Sequence, residues 1–222
     1  MAKLYFRYGA MGCGKTMQLL QAAFNYEERG HKVCVIKPKT DTKNGTKLLT
    51  RIGPERETDF CFDRDVDLFK EISKKYKDVQ CILVDEAQFL TKEQADQLMM
   101  VVIKLNIPVI AYGLRLNFQM EDHGFEGATR LLQIAHTIEE IKTICECGKK
   151  ATCNSRFLDD KFVYDGPDIL IDGTTKIEYR ALCPACYEKY RASTGGRAGG
   201  PPAEPQRRGE KCEVRTRRKE VS

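Results

Sequence analysis

The chain has 222 residues, 41% of them hydrophobic and 31% charged, with no Trp and a formal net charge of +5. That length suits one α/β domain with a small accessory module. Its opening, MAKLYFRYGA, has no secretory apolar stretch, and no apolar run approaches a membrane span, so a cytoplasmic location is expected. The charge is unevenly placed: from Gly195 onward eight Lys/Arg face four Glu, so this tail carries +4 and the body only +1. A nearly neutral body has no bulk attraction for a polyanion, which argues against nucleic acid as the main partner.

In chain order, KLYFRYG reads as a short apolar strand ending in Gly9, and KTMQLLQAAFNYEERG as a helix. The helix would present Met17, Leu20, Ala23 and Phe24 on one face and stop at Gly30. KVCVIKP is a continuous apolar strand closed by Pro38. The polar, turn-rich stretch TDTKNGTKLLTRIGPERETD is expected to be a surface loop. VDLFKEISKKY fits a helix, and QCILVDE a buried strand ending in two acids. TKEQADQLMMVVIKLN begins a helix with Thr91 as its cap, and IPVIAYGL is the next buried strand. Apolar strands alternating with helices predict a mostly parallel sheet covered on both faces. From about residue 141 the texture turns to short strands, paired Cys and Gly/Asp turns, predicting a second, small module over 141–194 after a nucleotide-binding domain over 1–140. Residues 195–222 lack large apolar side chains and read as a disordered tail.

Gly9-Ala10-Met11-Gly12-Cys13-Gly14-Lys15-Thr16 fits G-x-x-x-x-G-K-[ST], a phosphate-binding loop, between a strand and a helix. Small residues let backbone N–H groups turn inward around phosphates, Lys15 supplies charge to the outer phosphates, and the Thr16 hydroxyl can ligate Mg²⁺. Cys13 is either a reactive thiol at a helix start or a plain spacer. At the C-terminal end of a parallel strand, Asp85 and Glu86 should face the loop, Asp85 as the Mg²⁺ partner and Glu86 as a base, unless Glu86 only caps a turn. Cys145-x-Cys147 and Cys183-x-x-Cys186, 35 residues apart, form a four-sulfur set suited to structural Zn²⁺, with Cys153 as a substitute for one ligand. Cys34 and Cys81 read as buried hydrophobes, with Cys61 grouped beside them. His31, His123 and His136 show no metal or triad spacing.

With these motifs in place, Leu4 to about Tyr190 resembles the small cytosolic (type II, zinc-containing) thymidine kinases, bacterial members above all. LYFRYGAMGCGKT, NYEERG, TRIGP, LVDEAQFLT, IPVIAYGLRLNF and KTICECGKKA carry the resemblance by their order and spacing. It implies a P-loop NTPase-like α/β domain with a zinc-binding lasso domain, transferring the γ-phosphate of ATP to the 5′-hydroxyl of thymidine. In that family's terms Glu86 is the general base and Asp85 the Mg²⁺-side acid, while Asp41 and Lys43 assist near the phosphates. The base pocket would draw on Met11, Phe89, Leu114, Phe118 and Phe125, with Asn154, Leu170, Gly173 and Tyr179 from the lasso. Family members form dimers or tetramers and are inhibited by thymidine triphosphate. The sequence departs from the family's usual pattern at three places: Met11-Gly12-Cys13-Gly14 in the loop, Arg115, and Asp172 in the lasso. A phosphate-loop ATPase whose zinc ribbon binds nucleic acid is the competing reading. The near-neutral body, the absence of an NKxD motif and zinc knuckles without the basic and aromatic interleaving of a nucleic-acid reader weigh against it.

Overall fold

The computed structural model describes residues 1–39, 45–120, 124–166 and 176–194. Six strands, β1 (Leu4–Tyr8), β2 (Val33–Pro38), β5 (Phe60–Phe62), β6 (Cys81–Val84), β7 (Val109–Gly113) and β8 (Thr137–Glu140), form one sheet in the order β5-β2-β6-β7-β1-β8. Every neighbouring pair is parallel. The apolar strands explain this arrangement, because alternate residues bury themselves on opposite faces. Leu4, Phe6, Ile36, Ile82, Val84 and Val109 pack with residues of α2 (Leu68–Lys75), α3 (Lys92–Met100) and α4 (Glu126–Ile134). Val33, Val35, Leu83 and Tyr112 pack with Leu19 and Ala23 of α1 (Lys15–Glu27). The connection from β1 through α1 to β2 skips β7 and β6, so the sheet's strand order turns at β1, where such sheets take their ligands.

Helix starts follow the expected chemistry. Asp67 caps α2 by accepting from the Lys70 N–H, and Thr91 and Gln94 form a reciprocal capping box at α3. α1 differs, because Gly14 precedes it in the left-handed region (φ 86°) and no side chain caps its first N–H groups. Those donors stay available to a ligand.

Two expectations need correction. Phe24 does not join the buried face of α1; it is 62% exposed, Met17 and Leu20 are half-buried, and Lys15 and Leu19 are buried with the expected Ala23. Lys15 must turn into the phosphate loop, which fixes the helix rotation and buries the residues four and eight positions on. The stretch expected to be a surface loop also contains structure: a hairpin of β3 (Lys47–Leu49) and β4 (Glu55–Glu57), with the sheet strand β5 directly after it. Leu48 inserts into the core beside α1, and the buried Lys37 ammonium donates to the Lys47 carbonyl at 3.1 Å. Three-residue strands carry too little periodicity to stand out in the sequence. Cys34 and Cys81 are fully buried as expected, while Cys61 is half-buried beside the Thr58 hydroxyl. Burial raises both buried thiols, Cys81 to about 12.

After the main sheet the chain builds a hairpin of β9 (Thr143–Ile144) and β10 (Lys150–Ala151). A three-stranded antiparallel sheet follows, in the order β12 (Lys161–Val163), β11 (Cys153–Leu158), β13 (Ile177–Leu182), and then α5 (Pro184–Ser193). Its core rests on Phe157, Phe162, Leu182 and Tyr187. The tail, 195–222, lies outside the described residues.

A close approach between layers is at Gly127 of α4, where an added Cβ would lie 2.5 Å from the Leu90 carbonyl oxygen. Gly127→Ala should therefore cost about 1–3 kcal/mol in a urea melt, as overpacking does, by pushing α4 off the 87–90 turn. A variant as stable as the parent would show that this contact tolerates a methyl group.

Candidate active site

The phosphate loop spans the gap between β1 and α1. The Lys15 ammonium is buried and donates to the Ala10 and Gly9 carbonyls at 3.1 and 3.4 Å, with the Cys13 sulfur at 3.8 Å. Carbonyl oxygens are weak partners for a buried cation, and a polyanion in the loop would outcompete them. Thr16 donates its hydroxyl to Asp85 Oδ2 at 3.0 Å, while Asp85 Oδ1 is buried with no hydrogen-bond partner among the described residues. Burial, and then the neighbouring Glu86 charge, push the Asp85 carboxyl up to about 7. An unpartnered carboxylate oxygen beside a threonine hydroxyl is a donor set suited to a hard divalent cation.

Glu86 follows in the left-handed region (φ 48°), an unusual conformation for a residue with a side chain. The reversal keeps Asp85 buried and leaves Glu86 half-exposed in a cavity of about 370 Å³. Met11, Gly12, Gly14, Lys15, Thr16 and Leu114 share its wall, with Thr50–Ile52 from the β3–β4 hairpin opposite. Gln88, buried beneath, accepts from the Leu114 N–H at 3.0 Å and donates to Glu86 Oε2 at 2.5 Å.

The remaining expected positions divide into groups. Phe89 and Phe125 meet edge to face at 5.5 Å, and Phe89 lines a separate cavity of about 390 Å³ with Phe62, Asp63 and Asp65. Phe118 is buried beneath the Arg156 guanidinium, 3.7 Å from its ring centroid. Tyr179 pairs with Arg156 across β13 and β11 and so shares its face of that sheet. Asn154 reaches the loop: its Oδ1 accepts from the Met11 N–H at 2.8 Å, and its Nδ2 donates to the Leu116 carbonyl at 2.7 Å. Asp41, Lys43, Leu170 and Gly173 lie outside the described residues. Sequence reading missed Gln88 and Arg51. Gln88 lies within LVDEAQFLT and Arg51 within TRIGP, two motifs that carry the resemblance without giving either residue a role.

Cys145, Cys147, Cys183 and Cys186 bring their sulfurs within 4.8 Å of one another. One pair lies on the β9–β10 turn and the other at the start of α5. Cys153 stays outside this set, buried in the small core with its sulfur near the Thr152 hydroxyl. The Cys186 N–H lowers the Cys183 thiol to about 7, while Cys147 and Cys183 push Cys186 up to about 12. Four clustered thiols cannot all ionise unaided, so the set fits a dication such as Zn²⁺, with no position left open for chemistry.

Residues 2–187 match the thymidine kinase family. The chain belongs to that family. A thymidine kinase of Chromobacterium violaceum is 46% identical over 84% of this chain and 98% of its own length. One from Coxiella burnetii is 46% identical over 82% and 93%, and one from Streptococcus pyogenes serotype M3 is 41% identical over 86% and 97%. Among solved structures, a DNA replication initiation factor aligns with 64% of this chain and 40% of its own, with 18% identity and a TM-score of 0.37, a likeness that carries no weight.

For a thymidine kinase family member, the buried Asp85 has a measurable consequence. Its carboxyl keeps a proton to about 7 when folded, against the usual 3.8, so between those values the native state binds the extra proton. Stability from this group is therefore lost as pH rises through that window. The Tm of the metal-free protein should fall from pH 5 to 8, and Asp85→Asn should reduce that fall. An unchanged slope in the variant would assign the fall to other groups.

Proposed function

We propose that the protein transfers the γ-phosphate of ATP to the 5′-hydroxyl of thymidine, giving thymidine monophosphate and ADP. The observation that carries this reading is the split acid pair at one cavity, in a chain of the thymidine kinase family. Asp85 turns toward Thr16 and Glu86 toward open space. On ATP binding Lys15 exchanges the Gly9 and Ala10 carbonyls for phosphate oxygens, and the loop N–H groups cradle the rest. Thr16 and Asp85 would hold Mg²⁺, which supplies charge neutralisation at the outer phosphates. Asp41 and Lys43 assist there. Glu86 accepts the proton of the 5′-hydroxyl as that oxygen bonds to the γ-phosphorus and the bond to the β-phosphate oxygen breaks. Such a transfer asks for positioning and charge stabilisation more than covalent work.

Met11 and Leu114, which line the cavity with Glu86, serve as apolar walls beside the reacting groups. Phe89, Phe118, Phe125 and Tyr179 are also assigned to the pyrimidine, although Phe89 lines the neighbouring cavity and Phe118 lies under Arg156. Asn154, with Leu170 and Gly173, belongs to the lasso that closes this pocket. With this reading goes a division at about residue 140, with the zinc module over 141–194 and a tail over 195–222. Assembly as a dimer or tetramer and residence in the cytoplasm complete the reading. Among the described residues no helix is long and apolar enough to cross a membrane. The competing ATPase reading, with a zinc ribbon on nucleic acid, has no observation in its favour.

Glu86→Gln should retain ATP and thymidine binding while kcat falls roughly 10²- to 10⁴-fold, the usual worth of a general base. Near-parental kcat would remove Glu86 from that role. Native mass spectrometry should find one Zn²⁺ per chain, lost in Cys186→Ser. A metal-free parent spectrum would reject the zinc assignment.

A further inference from the structure

We propose that Gln88 is a positioning residue that aligns the Glu86 carboxylate against the pocket wall formed by Leu114; this rests on the phosphotransfer reading above. The residue is 2% exposed and both ends of its carboxamide are engaged. The oxygen accepts from the Leu114 N–H, so the amide orientation is fixed and the nitrogen must face Glu86. A carboxylate accepts this donor, whereas a group of the opposite polarity there would repel it.

Three further features concentrate on this contact. Glu86 holds a left-handed backbone, a conformation that costs free energy unless its surroundings hold it. Gly113, at the end of β7, lacks the Cβ that would lie 3.0 Å from both Gln88 N and Gln88 Oε1. The strand end is thus kept bare where the glutamine passes. Leu114 itself lines the cavity that Glu86 enters. Gln88 therefore connects the group that would take the proton to the backbone beside the nucleoside, and fixes one relative to the other.

A purely structural glutamine would affect stability or binding, whereas an aligning one must act through Glu86. Gln88→Met keeps the side chain's length and removes both bonds. It should lower kcat roughly 10- to 100-fold, the order expected for a misplaced reacting group, with the KM values for ATP and thymidine within about twofold of the parent. In a Glu86→Gln background the same change should cost almost nothing further, because coupled residues are not additive. An equal fold-loss in both backgrounds, a change confined to KM, or parental kcat would overturn the proposal. Should Gln88→Met fold poorly, Gln88→Asn keeps both polar groups on a side chain too short to span the gap, and the same cycle applies.

A readout independent of turnover is the ¹⁵N-edited NMR signal of the Gln88 side-chain amide. It should shift on Glu86→Gln, and an unmoved signal would contradict the contact. Failure of the parent to phosphorylate thymidine would defeat the phosphotransfer reading alone; the cycle would then be read on whatever ATP turnover Glu86 supports.

Discussion

Two acids on consecutive residues at the end of one strand must do different work, and so must face different surroundings. Left in extended conformation, Asp85 and Glu86 would point to opposite faces of the sheet. The chain instead reverses at Glu86 into the left-handed region, at a cost of about 1–2 kcal/mol for a residue with a Cβ. Both acids thereby stay beside the phosphate loop, yet in different surroundings. Asp85 sits fully enclosed against Thr16, its carboxyl raised by burial, while Glu86 stays half-exposed above the phosphate loop. The parallel sheet makes this useful, because β7 alone lies between the strand that ends in the loop and the strand that ends in the acids.

Among the described residues, the contacts of the small module with this arrangement include three hydrogen bonds and the Arg156 guanidinium over Phe118. Asn154 uses both ends of its amide, one on the phosphate loop at Met11 and one on the loop after β7 at Leu116. Tyr187 of α5 donates its hydroxyl to the Phe118 carbonyl at 2.6 Å. Each bond contributes on the order of 1 kcal/mol net, yet losing one partner strands a buried polar group at greater cost. Cys145 and Cys183 of the sulfur cluster belong to the same small core as Tyr187, so a metal held there would brace the Tyr187 contact.

Most of the framework was legible in the residues. Gly9–Thr16 named the loop because glycine spacing and Lys15-Thr16 have a chemical reason to occur together, and the two Cys pairs named the sulfur site. The apolar strands indicated a covered parallel sheet because burial on both faces leaves no polar alternation. What stayed hidden was set by tertiary contact. Phe24 belongs to the apolar stripe of its helix and still faces solvent, because Lys15 dictates the rotation. The 47–57 hairpin is too short for periodicity to register. Gln88 carried no role in the sequence because its importance depends on Leu114, 26 positions away, and on Gly113 having no side chain. The reversed backbone at Glu86 has no sequence signal, since glutamate is not a residue that favours it.

The central claim is that the terminal phosphate passes to a nucleoside and not to water. Following the label from γ-³²P-ATP with Mg²⁺, with and without thymidine, tests it most directly, with uridine and cytidine as controls. The account predicts label in thymidine 5′-monophosphate in step with ADP, and negligible ADP without nucleoside. Label released as inorganic phosphate at the same rate with or without thymidine would contradict it.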